Sequence, residues 1–174
     1  VYGDHAGGWV DETTPLQPST ERGNQRLKAE REGVSLHERH GLPVHIFRLA
    51  GIYGPGRNQL ETVRDGTARR VIKPGQVFSR IHVEDIAGIL WASISRPNPG
   101  QAYNVADDEP CPPQEVVAHA AELLDLAVPP EEPFGGARLS PMARSFYAES
   151  KRVSNARVKS ELGYRFKYAN YRQG

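Results

Sequence analysis

Apolar positions divide this chain into a few short, dense runs separated by long polar stretches. The densest run is Leu42–Ile52. It opens with a proline, is dominated by β-branched and aromatic residues over Val44–Leu49, and is bounded by Gly51 and the Gly54-Pro55-Gly56 turn. That pattern predicts a buried strand of a parallel sheet. Ahead of it, Glu21–His40 is mostly charged, with Leu27, Ala29, Val34 and Leu36 in reach of one face. This predicts a solvent-covered helix with a thin apolar stripe, capped by Ser19 or Thr20 and stopped by Gly41. Gly33 weakens it by about 1 kcal/mol relative to alanine.

After Arg57 the pattern predicts a short helix over Gln59–Arg64, then the basic pair Arg69-Arg70, then a strand over Val77–Val83. Glu84–Ser95 carries Ile86, Ile89, Leu90 and Ile94 at helical spacing and is ended by Pro97 and Pro99. Gln101–Ala106 is predicted as a strand, Gln114–Leu126 as a helix opened by Pro112-Pro113, Pro129–Met142 as a loop, and Ser154–Leu162 as a last helix capped by Ser154. Asp4–Thr20 reads as a loop. Strands alternate with helices, so the fold class is α/β with a mainly parallel sheet.

Composition narrows the function classes. A net charge of +1 gives no electrostatic case for nucleic acid or a membrane surface, and no run reaches the length of a transmembrane helix. The single cysteine, Cys111, excludes an internal disulfide and a cysteine metal cluster, which fits a cytoplasmic protein. No His, Asp or Glu spacing suggests a metal. With 14 prolines and 17 glycines the chain is rich in loops, and loops at a sheet edge are where sites are built.

Candidate residues cluster at the carboxyl ends of the predicted strands, where open α/β folds bind ligands. Tyr2 would stand either near a bound cofactor or packed on its following loop. Asp4 and His5 read as a solvated loop. Arg48, inside an apolar strand, requires a partner such as Asp85 or a ligand. Arg57 closes the Gly-Pro-Gly turn and suits an anion as well as it suits solvent. Arg80 and His82 share a strand face with Phe78; His82 reads as a satisfied core histidine or a substrate contact. Asp85 and Asn104 read as structural.

Four segments in order resemble extended short-chain dehydrogenase/reductases, the NAD-dependent epimerase/dehydratase family, and most closely an atypical bacterial subgroup. They are Val1-Tyr2-Gly3-Asp4, Arg48-Leu49-Ala50-Gly51-Ile52-Tyr53-Gly54-Pro55-Gly56-Arg57, Arg80-Ile81-His82-Val83-Glu84-Asp85-Ile86-Ala87 and Tyr103-Asn104-Val105-Ala106; Ser154–Gly163 resembles the family's final helix. The resemblance implies the carboxy-terminal part of a partial Rossmann-like, mainly parallel sheet with helices on both faces. Residues 1–106 would complete the NAD(P)-binding domain with inserted substrate loops, and residues 107–174 would form a small substrate-side C-terminal region. It implies NAD or NADP as cofactor, a small polar or nucleotide-linked substrate, and either a homodimer or an upstream fragment of the same fold as partner. Tyr2, Leu49, Ala50, Gly51 and Ile52 would line the cofactor, and Arg57, Arg80 and His82 the substrate.

Two departures from the family stand out. The G-x-x-G-x-x-G turn that the family uses to cradle the dinucleotide is absent, so the resemblance implies that the first strands of the cofactor domain are missing and that NAD(P) binds poorly to this chain alone. The family's catalytic tyrosine, with a lysine four residues later, falls on Arg22 and Arg26. Arginine cannot deprotonate to act as a base, though the pair could grip a phosphate or carboxylate. With Tyr2, these form the catalytic candidates. Tyr147 and Lys151 match Y-x-x-x-K by spacing but lie outside the family's context for it; they read as a packed tyrosine and a solvated lysine, or as pocket lining. The alternative to an enzyme is a non-catalytic dinucleotide-binding or regulatory protein.

Overall fold

The computed structural model describes all 174 residues. The long helix, α1, spans Glu21–His40 as the pattern predicts. Thr20 Oγ1 accepts from Gly23 N at 3.1 Å, and Gly41 ends the helix in the left-handed region at φ 66°. Gly33 is where α1 lies against the next strand segment; a β-carbon there would stand 3.4 Å from Val44. α2 is Gln59–Arg64, capped by Asn58.

All strand pairs are parallel. β1 (Trp9–Val10) pairs with β8 (Arg152–Val153), and β2 (Ile46–Leu49) with β6 (Ala102–Val105). β3 (Gly51–Tyr53) pairs with β5 (Arg80–His82), and β4 (Arg70–Ile72) with β7 (Glu131–Pro133). Gly51 therefore does not bound the central strand. The extended run continues through it and changes partner there: Ala50 N donates to Val105 O, Gly51 N to Ser79 O, and Asp107 N to Arg80 O. These bonds draw the ends of β2 and β6 and the start of β5 into one junction.

Other boundaries shift for local reasons. The expected strand Val77–Val83 pairs only over β5, because Val77 N is taken by Ser150 Oγ, Phe78 bridges Cys111, and Val83 is the first residue of α3 (Val83–Ser95). α4 runs Pro113–Leu123, three residues short of the expected end; Leu124 caps it and Asp125 turns to φ 54°. The Pro129–Met142 loop contains β7 and the start of α5 (Pro141–Phe146). The Asp4–Thr20 loop contains β1. The last helix, α6, covers Ala156–Glu161, with Asn155 rather than Ser154 at its N-cap. The Asn155 amide instead ties Ala106 O and Asp108 Oδ1, holding α6 to the end of β6.

The main core joins Ile81, Ile89, Tyr103, Val105, Val158 and Leu162, so β5, α3, β6 and α6 share one apolar centre. A second cluster of Val63, Val117, Ala120 and Ala121 packs α2 on α4. No helix is long and apolar enough to cross a membrane.

Candidate functional site

The carboxyl ends of β2, β3, β5 and β6 face one side, and most sequence-predicted residues lie at or beside that edge. Tyr2 is buried there. Its hydroxyl donates to Asn104 Oδ1 at 2.6 Å and accepts from an Arg48 amino group at 2.7 Å. Burial raises its pKa, and the bonds to Arg48 and Asn104 oppose that rise. Arg48 is clasped through Nε and a terminal amino group by both carboxylate oxygens of Glu30 on α1, which replaces the expected Asp85. A bidentate pair of this kind fixes the guanidinium plane and leaves little freedom for a ligand to recruit Arg48. Asn104 N is bonded by Glu12 Oε1, while Asn104 Nδ2 is buried without a partner.

Arg22 and Arg26 stand on the exposed side of α1, with no hydrogen bond or ion pair from the rest of the chain. Leu49 is 45% exposed and Gly51 is exposed, next to half-buried Ala50 and Ile52. The amides of Ala50 and Gly51 already serve the strand junction. This stretch therefore offers no amides at Ala50 or Gly51 for a pyrophosphate.

Of the residues expected to meet a substrate, Arg57 is exposed and closes the turn through reciprocal backbone bonds with Gly54. Arg80 does not point into open solvent: its Nη1 donates to Phe78 O at 3.1 Å and to Cys111 Sγ at 3.0 Å. His82 is 3% exposed. Its Nδ1 accepts from Glu84 N and caps α3, while its ring lies 3.9 Å from Tyr168 and 5.2 Å from Tyr53. Burial raises the pKa of Tyr53. Asp85, fully buried, accepts from Tyr164 Oη, Lys167 N and Tyr168 N. Tyr147 and Lys151 do not act as a pair: the Tyr147 ring packs against Phe78 and Phe134, and Lys151 is held by Gly3 O and Glu149. No group of three His, Cys, Asp or Glu side chains is placed to hold a metal ion.

One residue escaped the sequence reading. Asp107 follows β6 at the strand junction and is 1% exposed. Its Oδ1 accepts from Glu109 N, but Oδ2 has no partner. Burial pushes its carboxyl up to about 7, against the pull of Glu109 N–H and Arg80. Its only sequence signal is position, two residues past the end of a strand.

Parallel strand pairs with alternating helices define a Rossmann-like α/β protein. The model of the NAD dependent epimerase/dehydratase family matches residues 1–106, and the chain belongs to that family. It is 34% identical over 171 residues to Protein YeeZ of Escherichia coli strain K12, covering 97% of this chain and 55% of YeeZ. A functionally unknown conserved protein from Silicibacter pomeroyi DSS is 61% identical in sequence and superposes with a TM-score of 0.94, over 99% of this chain and 60% of that one. The dTDP-glucose 4,6-dehydratase of Bacillus anthracis, solved in complex with NAD, shares the fold at a TM-score of 0.80 and 21% identity, over 100% of this chain and 56% of that one. The chain thus spans little more than half the length of these relatives.

Proposed function

We propose that this chain forms the substrate-side part of an NAD(P)-dependent oxidoreductase or epimerase of the extended short-chain dehydrogenase/reductase type, acting in the cytoplasm on a small polar or nucleotide-linked substrate. The observation that supports the reading is the ordered set of family motifs, with Leu49 and Gly51 exposed at the strand junction. The dinucleotide would supply a hydride acceptor. This chain's residues would bed its ring against Tyr2 and Leu49–Ile52 and present Arg57 and Arg80 toward the substrate. Residues 1–106 would serve the cofactor and residues 107–174 the substrate.

Because Arg22 and Arg26 occupy the tyrosine and lysine positions, proton transfer cannot run through residue 22. In this reading the two guanidinium groups, free of acidic partners, bind an anionic group instead. A second reading rests on the same observation: the protein binds the dinucleotide and responds to its redox state without turnover. The test is NAD(H) and NADP(H) fluorescence titration of the protein extended to the length of its relatives, followed by an assay for NAD(P)H formation or interconversion with nucleotide-linked sugars. Turnover supports the enzyme; binding without turnover across the panel supports the redox-responsive reading; no binding defeats both.

A further inference from the structure

The segment after α6 lies over the carboxyl ends of β3 and β5. Gly163 turns the chain at φ 63°, and Asp85 then accepts from Tyr164 Oη, Lys167 N and Tyr168 N at 2.7–3.0 Å. A buried carboxylate with three donors makes a firm base for this segment. Tyr164 also fills the space over Gly88, where a β-carbon would stand 2.3 Å from its hydroxyl. Beyond Tyr168 the fastening is one buried ring, Tyr171, and a few bonds at the surface. Asp108 N donates to Ala169 O, Tyr53 Oη reaches Asn170 O at 3.3 Å, Tyr171 packs on His119, and Arg172 pairs with Glu109. The Arg172–Glu109 side chains are 45% and 36% exposed, so solvent screens the pair and it holds weakly.

Beneath this second half lie groups that the substrate reading needs. His82 packs on Tyr168 of the base and beside Tyr53, and Gly174 closes it from the second half: a β-carbon there would stand 3.1 Å from His82 Cδ2 and 2.7 Å from Tyr53 Oη. Asp107, with its unpartnered Oδ2, precedes the residue that holds Ala169. An unsatisfied buried carboxyl oxygen is costly and calls for a hydrogen-bond partner. No side chain of the closed structure supplies one.

We propose that Ala169–Gly174 is a strap, rooted on Asp85 and clasped by Arg172–Glu109, that lifts to admit a small polar ligand to His82, Tyr53 and Asp107. The ligand contributes a hydroxyl or amide group that hydrogen-bonds Asp107 Oδ2. The groups facing Asp107 are Arg80 on β5, Tyr53 on β3, Cys111 near the start of α4, and Asp108 and Glu109 on its own loop. Lifting brings water to this acidic cluster and frees Glu109. The proposal rests on taking the carboxyl edge as the ligand face, but its test uses no ligand, so the two can fail separately.

The test is acylation of histidine by diethyl pyrocarbonate, mapped by peptide mass spectrometry across the 6 histidines of the full chain. Exposed His40 is the fast reference and His45 the control remote from the strap. In the unaltered protein His82 reacts far more slowly than His40. In Arg172→Glu, where two acids now repel, the His82 rate rises about tenfold while His45 keeps its rate, as local opening requires. Wild-type His82 reacting as fast as His40, or His82 unchanged in Arg172→Glu, overturns the proposal. Should His45 rise together with His82, the variant has lost its fold. Amide hydrogen exchange of the unaltered protein then decides: Ala169–Tyr171 exchanging faster than the centre of α3 supports the strap, and exchange at the rate of α3 overturns it.

Discussion

Replacing Glu30 by alanine removes the counter-charge of Arg48 while leaving the guanidinium between α1 and β2. The two side chains are each 11% exposed, so solvent can replace only a small part of what the carboxylate provides. Breaking a buried pair from one side costs about 3–5 kcal/mol. Residual exposure places this case near the lower end, about 3 kcal/mol. For a domain of this size each kcal/mol moves Tm by about 2–4 °C, so the expected drop is about 6–12 °C. Tyr2 amplifies the effect, since its hydroxyl accepts from the same guanidinium. Urea titration followed by circular dichroism gives the free energy, and Arg48→Met in the Glu30→Ala background closes the cycle. The double variant should recover part of the loss, because no buried charge is left unpaired. A Glu30→Ala loss below about 1 kcal/mol, the range of exposed ion pairs, would refute the argument that this pair anchors the edge.

Four further outcomes follow. Asp107 carries a folded-state pKa near 7, above its ordinary 3.8, so the folded protein holds a proton that the unfolded chain has lost; stability attributable to this group falls as pH rises from about 4 to about 7 and is flat above. Asp107→Asn should remove that slope in the difference between wild-type and variant Tm profiles, and an unchanged slope would show the carboxyl to be solvated. Ile81→Ala, at a fully buried core position, should cost about 2–5 kcal/mol in chemical denaturation. Gly88→Ala should drive a methyl into the Tyr164 ring, destabilising by about 1–3 kcal/mol, and adding Tyr164→Ala should relieve the clash. Burial pushes the Cys111 thiol up to about 11, so the native protein should not react with a thiol reagent at pH 8 until denatured.

The parts of this fold legible in the sequence are those written locally. α1 begins after Thr20 and ends at Gly41 because a cap and a left-handed stop lie within a few residues of the helix they bound. α2 is set the same way by Asn58. Strands β1, β4, β7 and β8 are two or three residues long and exist only through distant partners, so no period of two can announce them. Partner choice has the same limit. Arg48 visibly needed a carboxylate, yet both Glu30 and Asp85 were available, and only the packing of α1 on β2 decides for Glu30 while Asp85 holds the chain after α6. The burial of His82 is one of the two readings its strand position allows, but the aromatic closure by Tyr168 comes from a segment 86 residues later in the chain. Asp107 was missed because nothing in Asp107-Asp108-Glu109 distinguishes the buried acid from its neighbours.

The account turns on a dinucleotide lying against the carboxyl edge at Tyr2 and Leu49–Ile52. Hydrogen exchange with and without saturating NAD(H) or NADP(H), on the protein extended to the length of its relatives, tests this most directly. The account predicts slowed exchange at Leu49–Ile52 and at the amides after Tyr2, with α4 unchanged. Cofactor binding that leaves those amides untouched, or no binding of either dinucleotide, would contradict it.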